Sequence, residues 1–184
     1  MPVERGSKRI RFGFDPQKAI EVILYIANNL QIPDFHKISK VLYFADKSHL
    51  ERYGRLICGD SYIAMKHGPV PSGVYDILKT VRGDGLWSDV ICEKLDMESF
   101  SVHEKKRVVP SRGANTDLLS ESDIECLSEA IGKYGTLEFS ELTEASHDNA
   151  WKSVDQNDVI DIEEIVATLS HSDELLEHLR EKGA

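Results

Sequence analysis

Two short patterns in this chain place an acid and an imidazole three residues apart. Asp46-x-x-His49 and Glu144-x-x-His147 would each present a carboxylate and a ring nitrogen on one helix face. Paired helices of that kind build di-metal sites in four-helix bundles, with the carboxylates and imidazoles as ligands. Two more carboxylates from other helices would be needed, and Glu21 and Glu125 are only arbitrary candidates. With 32 acidic residues and 7 histidines such spacings also arise by chance. A metal-dependent enzyme using Asp46, His49, Glu144 and His147 is therefore an alternative reading, and the leading one includes no metal and no cofactor.

Other chemistry has less to stand on. Cys58, Cys92 and Cys126 are scattered and form no CxxC pair, which argues against a disulfide framework or a zinc knuckle and for small, mostly buried thiols. Any histidine could be matched with some Ser or Cys, but no local sequence supports a nucleophile. The phosphate-binding, metalloprotease and serine-hydrolase motifs are absent, and Gly83-Asp84-Gly85 reads as helix termination. His171 and His178 sit in an acidic tail and read as solvated. Trp87 and Trp151 lie among polar residues, where an indole anchors a helix to the core or to a partner.

The most informative loop is Lys66-His67-Gly68-Pro69-Val70-Pro71-Ser72. Its plain role is a strand-to-helix connection, because two prolines fix φ and bias the preceding residues toward extended geometry. A functional role would be to present Lys66 and His67 beside the preceding helix as a preorganised recognition surface.

These residues need elements to position them. Asp15-Pro16 starts a helix running to about Gln31, with Ile20, Ile23, Leu24, Ala27 and Leu30 inward. After Pro33-Asp34, residues 37–54 form a second helix, expected to lie antiparallel to the first. Ile38, Val41, Leu42, Ala45 and Leu50 make its apolar stripe, while Tyr43, Asp46, Lys47, His49, Glu51 and Arg52 are either a solvated face or a working surface. Tyr62 to Met65 is a short β-prone run. Ser72 is placed to cap a third helix with Val74, Ile77, Leu78 and Val81 inward. Between Leu86 and Pro110, the runs FSVHE and RVVP suggest short strands forming a hairpin or wing. Leu119-Ser120 opens a fourth helix, and shorter ones are expected over 139–147, 162–169 and 173–180. The fold class is mainly α (α+β), a compact multi-helix domain with a small β-hairpin or wing. Residues 1–14 read as a basic N-terminal arm and 15–184 as a single domain.

At 184 residues, with 41% hydrophobic and 29% charged content, the chain has the composition of a globular protein. It lacks a long apolar run or a secretory leader pattern, and a cytoplasmic location is expected. The net charge of −10 is unevenly distributed: residues 1–82 carry 13 Lys and Arg against 8 Asp and Glu, and residues 83–184 carry 9 against 24. The acidic half would repel nucleic acid or meet a basic protein, with clusters such as Glu121/Asp123/Glu125 as its contact surface. The arm residues Arg5, Lys8, Arg9 and Arg11, together with a wing, supply a second alternative, a nucleic-acid-binding regulator.

One ordered set of residues goes further. Lys40, Leu42, Tyr43, Ala45 and Asp46 form a K-x-L-Y-x-A-D pattern, followed by His49-Leu50, Gly54-Arg55-Leu56-Ile57, an aromatic-initiated run ending in Gly68-Pro69-Val70, and Val74-Tyr75. This order resembles the Panacea domain, the family of SocA-like antitoxins and phage-associated bacterial proteins. The resemblance is strongest over 37–80 and extends loosely to Ser146-His147-x-x-Ala150-Trp151. It implies a protein-binding antitoxin without catalytic activity, neutralising a cognate protein toxin encoded nearby by direct contact. An ATP-dependent protease is implied as a partner only if the chain shares the adaptor role of the SocA branch. Operator DNA is a further conceivable partner that no reading helix here supports, and no membrane partner is implied. The matching residues Tyr43, Asp46, His49, Lys66, His67, Gly68, Pro69, Val70, Tyr75 and Trp151 are the family-motif and partner-binding candidates. Tyr43, Asp46 and His49 are expected to pack against the His67-Gly68-Pro69 loop.

Overall fold

The computed structural model describes residues 9–87 and 89–183. Of the basic arm, Arg5 and Lys8 lie outside the described residues. The rest of it is docked: Ile10 is buried, its N–H donates to Glu163, and Arg9 pairs with Asp161. The architecture is mainly α with small antiparallel sheets.

Helix α1 (Pro16–Asn28) begins as its sequence dictates, with Asp15 accepting from the Lys18 N–H and Pro at the first turn. It ends before the expected Gln31 and leaves Leu30 only partly buried. Helix α2 (Phe35–Tyr53) is capped by Asp34 and stopped by left-handed Gly54. It lies between two apolar clusters. Phe35, Ile38, Val41, Leu42 and Ala45 join α1 in one, and Tyr43 and Leu50 enter the other. That double burial settles the status of much of its polar face: Lys40, Asp46 and His49 are all within 1% of complete burial.

Strand β1 (Tyr62–Met65) pairs antiparallel with β2 (Gly68–Pro71), with Tyr62 opposite Pro71 and Met65 opposite Gly68. The expected loop at Gly68-Pro69-Val70-Pro71 is thus a strand. It is an edge strand, and an edge tolerates proline because one side of its backbone is unpaired. Helix α3 (Ser72–Arg82) follows directly, but Ser72 does not cap it. Asp60 does so from outside: its carboxylate accepts the N–H groups of Gly73 and Val74, each at 2.8 Å.

A four-residue helix α4 (Asp89–Cys92) precedes the hairpin of β3 (Phe100–His103) and β4 (Arg107–Pro110). This hairpin is no free wing. Phe100 and Val108 are buried in the first core, and the 33–35 backbone bonds to Lys106 and Val108. Helix α5 (Glu121–Tyr134) opens with a reciprocal capping box between Ser120 and Asp123, followed by α6 (Phe139–Ser146) and α7 (Asn149–Lys152). An unexpected short strand, β5 (Val159–Ile160), pairs with β1 to give the order β2-β1-β5. Helices α8 (Ile162–Val166) and α9 (Ser172–Glu181) complete the second core with Ile162, Ile165, Val166 and Leu179.

Candidate partner-binding groove

Three candidates from α2 are interior supports. Asp46 accepts the Ile57 N–H at 2.7 Å and the Tyr62 hydroxyl at 2.6 Å, fixing the turn after α2 and the start of β1. Burial pushes its carboxyl up to about 7, against the opposing pull of those two hydrogen bonds. Tyr43 donates to Asp148 at 2.8 Å and stands edge-on to Tyr62. His49 contacts the Arg55 carbonyl through Nδ1 and the Ser122 hydroxyl through Nε2, both at 2.9 Å. A carbonyl can only accept, so Nδ1 carries the proton. Burial lowers the imidazole pKa, and Nε2 also lies 3.3 Å from the buried Asp123 carboxylate, which pulls the other way.

The side-chain hydrogen bonds of these three go elsewhere than His67-Gly68-Pro69. Lys40 bonds there instead: its Nζ donates to the Pro69 carbonyl at 2.8 Å. Desolvation holds this ammonium down to about 7, a displacement worth on the order of 5 kcal/mol at 1.36 kcal/mol per pH unit. A charged hydrogen bond returns only about 1.5–3 kcal/mol, so burial wins. Gly68, at φ +105°, is required here because a Cβ would meet Ser146 and the end of the Lys40 side chain.

Trp151 anchors the far side. Its indole N–H donates to the Met65 carbonyl at 2.8 Å, and its ring stacks on His147 at 3.7 Å. Asp148 ties this corner to α2, capping α7 through the Trp151 N–H and receiving Tyr43 and Lys47. Asp148 and Asp60 were missed in the sequence. The signal for Asp148 is an Asp three residues before Trp151, a cap spacing; Asp60 had none, because its helix begins twelve residues later.

Above this framework a groove of about 440 Å³ opens between α2, the β1–β2 turn, α3 and α6. Lys66, His67, Val70 and Tyr75 of the candidate set line it, with Phe35, Met65 and Phe139 as further apolar walls. His36 stacks on Phe139 at 4.1 Å and contacts the Thr143 hydroxyl through Nε2. Burial, together with Lys40 and His67, pushes His36 down to about 4, so it is neutral at physiological pH.

The metal alternative does not assemble. The Asp46 oxygens and His49 nitrogens are engaged as described, and among the described residues no three His, Cys, Asp or Glu side chains converge on a metal-sized site. Of the acidic cluster, Asp123 is buried, whereas Glu121 and Glu125 are exposed, Glu125 paired with Arg52. Among the described residues, no helix is long and apolar enough to cross a membrane.

A mainly helical body with a preorganised edge hairpin, a buried Lys-Tyr-Asp-His helix and an open groove defines the structural class. The family model described as antitoxin SocA-like, Panacea domain, matches residues 38–152, which run from the first turn of α2 to the last residue of α7. The match spans more than half of the chain, and the protein belongs to this family. Comparison with curated proteins and with solved structures gave no match.

Proposed function

We propose that this chain is the antitoxin of a toxin–antitoxin system and neutralises a cognate protein toxin, encoded nearby, by direct binding in the cytoplasm without catalysis of its own. The observation that carries this reading is the family match over 38–152, because the residues of that span build both the buried framework and most of the groove. Neutralisation by contact needs a rigid surface, since a prepaid conformation reduces the ordering cost of binding. The framework supports one. Lys40, Asp46 and Asp60 each fix a connecting segment through a buried bond, and two prolines stiffen the edge strand beneath Lys66 and His67.

Lys66, His67, Val70 and Tyr75 are the proposed contact residues, with Gly68, Pro69 and Trp151 holding them in place. Tyr43, Asp46 and His49 act through the fold, because buried side chains offer a partner no area. Proteolytic delivery of the toxin forms no part of this reading.

The test is growth of a bacterial host expressing the neighbouring gene, with and without this protein, followed by co-purification from the rescued cells. Rescue with a stable complex is the expected result. A toxic neighbour that this chain neither rescues nor binds would overturn the reading.

A further inference from the structure

We infer that the groove between α2, the β1–β2 turn, α3 and α6 receives an acidic segment of the partner protein: an Asp, Glu or C-terminal carboxylate flanked by a large apolar side chain. This rests on the antitoxin reading and names the surface that the toxin would present.

Charge is the first argument. The chain carries ten more acidic than basic residues, yet no Asp or Glu lines this groove. Its rim instead holds Lys66 and Lys106, both exposed and without an ion pair among the described residues. Lys40 at its base is fully buried and bonded to the Pro69 carbonyl, so the charge offered to an occupant is that of the two rim lysines. Arg82 borders it but is already engaged by Asp84. Lysines gathered without counter-charge in an acidic protein are complementary to an anion.

The walls specify the rest of the occupant. Phe35, Met65, Val70, Tyr75 and Phe139 offer apolar surface, and Phe139 is 47% exposed, so an entering side chain would cover area now facing water. A volume of about 440 Å³ suits a few side chains of a protruding segment.

A free phosphate fits this lining less well. Phosphates favour unsatisfied N–H groups at helix N-termini. The three helices that start beside the groove have theirs engaged internally, α2 by Asp34, α3 by Asp60 and α6 by a Glu138/Glu141 capping box. What remains is side-chain ammonium over hydrocarbon, a match for a carboxylate next to an aromatic or aliphatic group. The overall negative charge repels an acidic partner at a distance, so the lysines act at contact, within a Debye length of about 8 Å.

The experiment is an NMR titration of the full chain with acetyl-Gly-Phe-Glu-Phe-Gly-amide and with the same peptide carrying Gln for Glu. Orthophosphate and AMP form separate arms. The Glu peptide is expected to shift the Met65 methyl and His67 ring signals, to bind about fivefold or more tightly than the Gln peptide, and to lose binding to Lys66→Glu/Lys106→Glu. Equal binding of the two peptides, response to phosphate or AMP alone, or no response at these residues would overturn the inference. In the toxin assay, Lys66→Glu/Lys106→Glu should weaken co-purification about tenfold or more, whereas Lys182→Glu should not. A double variant that folds and keeps full affinity would refute the groove and leave the antitoxin reading intact. Failure of the wild-type chain to rescue would refute the antitoxin reading, and the peptide titration would still decide the groove.

Discussion

Lys40 Nζ lies 2.8 Å from the carbonyl oxygen of Pro69, joining the central helix to the proline-stiffened edge strand through a side chain with no exposed surface. Its lowered pKa gives the link a pH signature. Between about 7 and 10.5 the unfolded lysine is protonated and the folded one is losing its proton, so stability rises with pH in this window. Urea unfolding should show wild type gaining on Lys40→Met by up to about 1.4 kcal/mol per pH unit there. Parallel curves for the two proteins would contradict the buried, shifted lysine.

Asp46 carries the opposite slope. Its folded carboxyl is raised from 3.8 to about 7, so in that window the native state holds a proton that the unfolded state has released. Wild-type stability should therefore fall as pH rises from about 4 to 7, by up to about 1.4 kcal/mol per unit. Asp46→Asn imitates the protonated form, since its amide can donate to the Tyr62 oxygen while its carbonyl accepts from Ile57. This variant should lose that slope and overtake wild type near pH 8, as read by denaturant midpoints across the range.

Asp60→Ala should cost about 2–4 kcal/mol, with the m-value unchanged. The carboxylate receives the N–H groups of Ser61, Gly73 and Val74, so its removal takes away a cap and strands the buried Val74 donor. Ser72→Ala should change stability by no more than about 0.5 kcal/mol, because Ser72 makes no side-chain cap bond. Equal losses at the two positions would show that the capping role is misplaced.

The acidic positions on α5 should separate sharply. Asp123 is fully buried, with Lys18 at 2.6 Å and Arg55 at 2.9 Å. Burial alone would raise its pKa, but the hydrogen bonds from Lys18 and Ser120 prevail and hold the carboxyl below its usual range. Asp123→Ala should cost about 3–5 kcal/mol, the scale for breaking a buried ion pair from one side. Glu121→Ala should fall within about 0.5 kcal/mol, and thermal melts of the two variants would read the difference directly.

Much of the chain was legible in its local chemistry. Asp15-Pro16, Gly54, Gly83 and Ser120 set helix ends because caps act within a few residues, and apolar periodicity identified the inward residues of α1, α2 and α3. The order from Lys40 to Tyr75 was enough to point to the family that the family model then matched.

What the sequence could not decide was where the polar residues of α2 would lie. Tyr43, Asp46 and His49 read equally well as a solvated face, a metal ligand set or a recognition surface, because each outcome depends on groups distant in sequence. Tertiary structure supplied Asp148, Tyr62 and Ser122 as their partners and buried all three. It likewise gave the start of α3 to Asp60, made an edge strand of Gly68–Pro71, and brought Lys66, Tyr75, Lys106 and Phe139 to one groove. Caps and apolar stripes are local and leave a trace in the sequence, whereas a buried hydrogen bond between distant segments is selected only when the whole chain closes around it.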